Sequence, residues 1–142
     1  MKEEVKTKKA PEAIGPYSQA VKFGNLVFCA GQIGLDPKTN NLVEGIKKQT
    51  KQAFANIKNV LESVASSLEK VLKMNVYLKN MDDFAVMNEI YATYYKKPYP
   101  ARATVEVARL PKGALIEIEC VAYIQKEDEE NCCGGGCGGD CR

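Results

Sequence analysis

From Ser18 to Ile33 the chain reads strand, turn, strand. Val21 and Phe23 alternate with polar neighbours, Gly24-Asn25 is a two-residue hairpin signal, and Leu26-Val27-Phe28-Cys29-Ala30 is a buried-type apolar run. Gly31, Gly34, Asp36-Pro37 and Asn40-Asn41 then mark a loop. The clearest helix follows. Ile46, Ala53, Phe54, Ile57, Val60, Leu61 and Val64 recur at spacings of three and four, with Lys47, Lys48, Lys51, Lys58 and Glu62 on the opposite side. That lysine stripe reads as a solvated helix face rather than a phosphate site. After Ser66-Ser67, period two takes over: Leu72, Met74, Val76 and Leu78 alternate with Lys73, Asn75, Tyr77 and Lys79.

A second helix is expected from Met81-Asp82-Asp83, whose acidic residues suit a helix N-terminus. Its apolar stripe is Phe84, Met87, Tyr91 and Tyr94, and Pro98 and Pro100 close it. Strands over Ala101 to Ala108 and Leu115 to Gln125 complete a β-β-α-β-α-β-β order. Before them, Lys2 to Pro11 is a polar lead-in suited to a sheet edge. The fold class is therefore α+β, a single mixed sheet with two helices on one face. In the last strand Ile116, Ile118, Cys120, Ala122 and Ile124 form a core face. The alternate residues, Leu115, Glu117, Glu119, Val121 and Tyr123, are too apolar for plain solvent exposure. The uncovered sheet face is expected to pack against other copies of the chain in a small closed ring.

Composition narrows the chemistry. A chain of 142 residues fits one domain, and a net charge of +2 argues against an electrostatic nucleic-acid binder. Histidine is absent, which removes imidazole-based triads and His-ligated zinc. Any general acid or base must be Asp, Glu, Lys, Tyr or Cys, or act through water. No apolar run approaches the ~18 residues of a membrane span. The start, MKEEVKTKKA, has no apolar signal region, so a cytoplasmic location is expected.

In the strand from Ala101, Arg102, Thr104 and Glu106 share one face, with Ala101, Ala103, Val105 and Val107 on the other. Arg102 offers a planar fork suited to a carboxylate, and Glu117 and Glu119 are expected to reach the same region. From spacing alone a structural ion-pair cluster and a ligand site both fit.

Longer motifs go further. Ala13-Ile-Gly-Pro-Tyr-Ser-Gln-Ala20, Ala30-Gly-Gln-Ile-Gly34, Asp82-Asp-Phe84 with Asn88, Pro100-Ala-Arg-Ala103, Val105-Glu-Val-Ala-Arg-Leu-Pro-Lys112 and Ile116-Glu-Ile-Glu119 occur in order over roughly residues 10 to 125. Together they resemble the RidA (YjgF) family of reactive-intermediate imine deaminases. The resemblance implies a chorismate-mutase-like fold and a homotrimer with sites in clefts between subunits. It also implies cofactor-free hydrolysis of small enamine and imine acids, 2-aminoacrylate and 2-iminobutyrate, to 2-oxo acids and ammonia. Carried over, Arg102 would bind the substrate carboxylate and Glu117 would position or activate water. Tyr17 would shape the pocket, Gly31 would offer main-chain contacts, and Asn88 would either touch substrate or brace a loop. Ala30 stands where many members place serine, and Thr104 stands in the pocket where cysteine is common. The same family resemblance leaves two other readings: a metabolite-binding regulator using the same cleft, and an endoribonuclease or translation inhibitor.

The domain is expected to cover residues 1–126, followed over 127–142 by an acidic stretch and a Cys/Gly-rich tail. Cys132, Cys133, Cys137 and Cys141 lack the paired C-x2-C zinc spacing, leaving soft-metal or redox chemistry and a dispensable appendage as alternatives. Gly134 to Gly139 matches G-x-G-x-x-G, but too little chain follows to form the helix a pyrophosphate site needs.

Overall fold

The computed structural model describes residues 1–125. The acidic stretch and Cys132, Cys133, Cys137 and Cys141 lie outside the described residues. Six strands form one sheet: β1 (Glu3–Val5), β2 (Ala20–Phe23), β3 (Leu26–Ile33), β4 (Val71–Leu78), β5 (Ala101–Glu106) and β6 (Ile116–Tyr123). Helix α1 (Gly45–Glu62) links β3 to β4, and α2 (Phe84–Tyr94) links β4 to β5. The polar lead-in does pair at the edge as β1, so the sheet gains one strand over the β-β-α-β-α-β-β order.

The spatial order is β1-β2-β3-β6-β4-β5. The last strand to form in sequence thus inserts between β3 and β4, antiparallel to both, while β4 and β5 run parallel. Parallel neighbours need a crossover, and α2 supplies it. Met81–Asp83 is a separate 3-10 turn before α2 rather than its first turn, because the Asn80 side chain accepts the Asp82 N–H at 2.9 Å.

Both helices cover the same face. Val27, Cys29, Met74, Val76, Leu78, Ile116, Ile118, Cys120 and Ala122 point into a core with Ala53, Phe54, Ile57, Val60 and Leu61 of α1 and Met87 and Tyr91 of α2. Phe54 is fully buried and stacks on Tyr94, centroids 4.2 Å apart. The α1 lysines are exposed, as the periodicity requires. Two apolar expectations change. Leu72 is 47% exposed, because an irregularity between Val71 and Lys73 shifts the register and seats Val71 in the core instead. Phe28, expected in a buried run, is 46% exposed on the uncovered face.

Buried amides, invisible to hydrophobic periodicity, fix the loops. Asn56 of α1 donates to the carbonyls of Ile33 (3.1 Å) and Leu35 (2.9 Å), and Gln49 accepts the Leu115 N–H at 2.8 Å. Gly34 lies so close to α1 that a Cβ there would come within 2.6 Å of the Gln49 Cα. Gln19, 3% exposed, bonds Thr7 and the carbonyls of Ala10 and Pro11, tying the N-terminal segment beside β3. Among the described residues no helix is long and apolar enough to cross a membrane.

Candidate active site

In a sheet, residues paired across neighbouring strands share a face. Arg102 pairs with Met74, so it belongs to the helix-covered face. Glu117 pairs with Tyr77 and lies on the uncovered face. Strand β4 separates β5 from β6. The expectation that Glu117 and Glu119 reach the Arg102 region is therefore corrected for a single chain: the residues stand on opposite sides of the sheet, a whole strand apart. Instead the candidates fall into two clusters.

The first cluster sits between α2 and β5. Arg102 Nη1 donates to Asn88 Oδ1 at 2.8 Å. The guanidinium carbon lies 4.5 Å from the centroid of the Tyr91 ring and 5.6 Å from that of Phe84. Aromatic faces attract a cation and hold the planar group still without neutralising it. Asn88, Tyr91, Ala92, Tyr99, Pro100 and Arg102 line a cavity of about 410 Å³. Burial raises the Tyr91 hydroxyl above its ordinary range, and the Arg102 charge partly opposes this. Thr104 lies one pleat further along the same face, and its buried hydroxyl has no partner among the described residues. Because β5 is an edge strand, this cluster stands at the rim of the sheet.

The second cluster lies on the uncovered face at the end of β3. Tyr17, Gly31 and Glu117 line a cavity of about 380 Å³ with Ile14, Gln19 and Lys112. The register of β3 against β6 shifts between Cys29 and Gln32, and Gly31 lies in that irregularity. A Cβ on Gly31 would overlap the Glu117 carboxylate, so any larger residue there would push the acid out of its present position. Burial, then the neighbouring Glu119 charge, push the Glu117 carboxyl above the usual carboxylate range. Tyr17 is 54% exposed at the mouth, its hydroxyl accepting weakly from the Ile14 N–H at 3.4 Å.

One network on the same face escaped the sequence reading. The Tyr77 hydroxyl donates to Glu119 Oε1 at 2.5 Å, and Asn75 Nδ2 donates to that oxygen at 3.1 Å. The signal was present in the alternation of β4, whose polar positions carry Asn75 and Tyr77, but the pairing of β4 with β6 is not legible from spacing. Among the described residues, no three His, Cys, Asp or Glu side chains are grouped to hold a metal ion. What the two clusters offer is a braced cation for a small anion and, separately, a half-buried carboxyl over a glycine-lined cavity.

Comparison with known proteins gives these clusters a context. Residues 7–124 match the family model described as Endoribonuclease L-PSP. A RutC family protein of Pyrococcus horikoshii is 58% identical, over 87% of this chain and 98% of its own length. The human 2-iminobutanoate/2-iminopropanoate deaminase is 46% identical, over 83% of this chain and 87% of its own. Among solved structures, RidA of an Antarctic Psychrobacter superposes with a TM-score of 0.84 at 52% identity, covering 86% of this chain and 99% of that one. TdcF of E. coli, solved with bound serine, gives 0.82 at 36% identity, covering 87% and 99%.

Proposed function

Because the chain belongs to the RidA family of reactive-intermediate deaminases, we propose that it hydrolyses small 2-imino and enamine acids, 2-iminobutyrate and 2-aminoacrylate, to 2-oxo acids and ammonia. The observation that carries this reading is the Arg102 cluster. A guanidinium bonded to an amide and laid over two rings, at a small cavity, with no ion pair to Asp or Glu among the described residues, offers its fork to a substrate carboxylate. The serine bound by the E. coli relative, an α-amino acid, has the same carboxylate next to a nitrogen-bearing carbon.

In this reading Arg102 anchors the carboxylate and sets the C=N carbon toward a water molecule held by Glu117. Water adds to the imine carbon as one of its protons passes through the Glu117 carboxylate to the imine nitrogen, giving a carbinolamine. The hydroxyl proton then follows the same route to nitrogen as the C–N bond breaks and the C=O bond forms. The products are one 2-oxo acid and one ammonia per water consumed. A half-buried carboxyl with a raised affinity for protons suits both directions of that transfer. Because an imine hydrolyses in water unaided, orientation of two partners supplies most of the required acceleration. Asn88 braces Arg102, Tyr17 closes the mouth, and Gly31 gives room and main-chain polarity.

The two halves meet only if the rim of one subunit, carrying Arg102, abuts the uncovered face of another, carrying Glu117. A homotrimer with three such junctions satisfies every subunit equally. Exposed Phe28 and Val105 on the uncovered face support burial there. Ketoacid formation is to be followed when the purified chain is added to a threonine dehydratase working on threonine, with Arg102→Ala alongside. Faster imine hydrolysis, lost in the variant, supports the reading. No acceleration by a folded oligomer turns it into a binding protein that uses the same cavities.

A further inference from the structure

Tyr77 and Glu117 are register partners on adjacent strands, yet the Tyr77 hydroxyl passes Glu117 by and bonds Glu119, two residues further along β6. Asn75, the register partner of Glu119, donates to the same oxygen. The Glu119 carboxylate is thereby drawn toward β4, while that of Glu117 is turned the other way, against Gly31 of β3. Two like charges one pleat apart, a spacing of about 6.6 Å along a strand, are thus splayed toward opposite neighbours.

We infer that Glu119, clamped by Tyr77 and Asn75, is the positioning residue for Glu117: it is a fixed negative charge that turns the Glu117 carboxyl into the cavity and strengthens it as a base. This inference rests on the role of Glu117 proposed above. A carboxylate beside a like charge holds its proton more tightly, and the clamp keeps that charge from moving off into solvent. The Tyr77 hydroxyl, pushed up to about 12 by its bond to Glu119 and by burial, remains a donor throughout the neutral range. The other titratable groups facing Glu117 are Glu12 and Tyr17 of the N-terminal segment and Lys112 of the turn before β6, all three exposed. β3 contributes only Gly31, Gln32 and Ile33 to that wall. Of all these neighbours, Glu119 alone is a carboxylate locked by two side-chain donors.

The test uses the full chain, Glu119→Gln and Tyr77→Phe, with fold and oligomeric state checked by circular dichroism and sedimentation. Two readouts are taken: the ¹³C-carboxyl titration of Glu117 without substrate, assigned through Glu117→Gln, and the pH profile of imine hydrolysis. Glu119→Gln is expected to move the Glu117 titration and the acid limb of kcat to lower pH. It should also lower plateau kcat about threefold with KM unchanged, because a weaker base takes the proton more slowly. Tyr77→Phe keeps the charge but loosens it, so both shifts go the same way and are smaller. An unmoved Glu117 titration in folded Glu119→Gln overturns the inference, and if that variant does not assemble, Tyr77→Phe decides on the same criterion. A titration that shifts in a chain without imine hydrolysis supports the charge coupling and overturns the reaction assigned to Glu117.

Discussion

The surroundings of Arg102 and Glu117 are built on opposite principles. Arg102 is held by what touches it: an amide oxygen on one side and two ring faces on the other. Glu117 is held by the space that a missing Cβ at Gly31 leaves, and among the described residues no Lys or Arg forms an ion pair with it. The two groups stand on opposite faces, with β4 between their strands, and do not pair with each other. Placing them on opposite faces leaves the cation ready for an anion and keeps the carboxyl basic. In the proposed reading neither cluster is a complete site within one chain, so assembly and chemistry belong together there.

The sharpest way to break this comparison is to disable each half in turn. Arg102→Ala is expected to lower kcat/KM for imine hydrolysis by about a hundredfold or more, measured with a dehydratase as imine source. Glu117→Gln should lower kcat by a similar factor, about a hundredfold, with a smaller effect on KM. Mixing the two inactive variants under conditions of subunit exchange should then restore about a quarter of the native activity, since random pairing regenerates that share of intact junctions. No recovery from fully exchanged oligomers would mean that the halves work apart.

Gly31→Ala probes the empty space beneath the carboxylate. The added methyl must displace Glu117, and kcat is expected to fall about tenfold while carboxylate binding at Arg102 is unchanged. Measurement of KM and of inhibition by a 2-oxo acid separates the two effects. Asn88→Ala removes the brace of Arg102 but not its charge or its ring contacts. A rise in KM of about three- to tenfold with kcat nearly intact is the expected signature.

The smallest effect is on stability and concerns Glu117. The Glu117 carboxyl is raised in the folded chain, so folding favours its protonated form. Its ionisation therefore costs stability as pH climbs through the ordinary carboxylate value toward the raised one, and that cost persists above it. Glu117→Gln should leave the melting temperature nearly unchanged at low pH and raise it slightly at neutral pH. The gain is held to a few degrees at most by the screening of a half-exposed group. A melting temperature that falls at neutral pH would show that Glu117 makes a favourable ionic contact in the assembly.

Much of this molecule was legible in the order of its residues. The α1 stripe, the β6 alternation and the Gly24-Asn25 hairpin follow from side-chain periods of 3.6 and 2, which a chain expresses locally. The motifs around Tyr17, Gly31, Arg102 and Glu117 point to the family by themselves. Local rules also marked the uncovered face as too apolar to be left wet.

The insertion of β6 between β3 and β4 was not legible, because strand neighbours are chosen by long-range packing rather than by spacing. That one choice places Arg102 and Glu117 on opposite faces, a strand apart. The exchange of Leu72 for Val71 in the core has the same origin, since a register shift arises only when two strands meet. So does the clamp of Glu119 by Tyr77 and Asn75, which joins residues 42 and 44 positions apart. The sequence by itself determined the elements, their buried stripes and the inventory of reactive groups, because each depends on neighbours within a turn or a pleat. Only the tertiary structure decided which of those groups share a cavity, because facing and strand order exist only once the sheet has closed around its core.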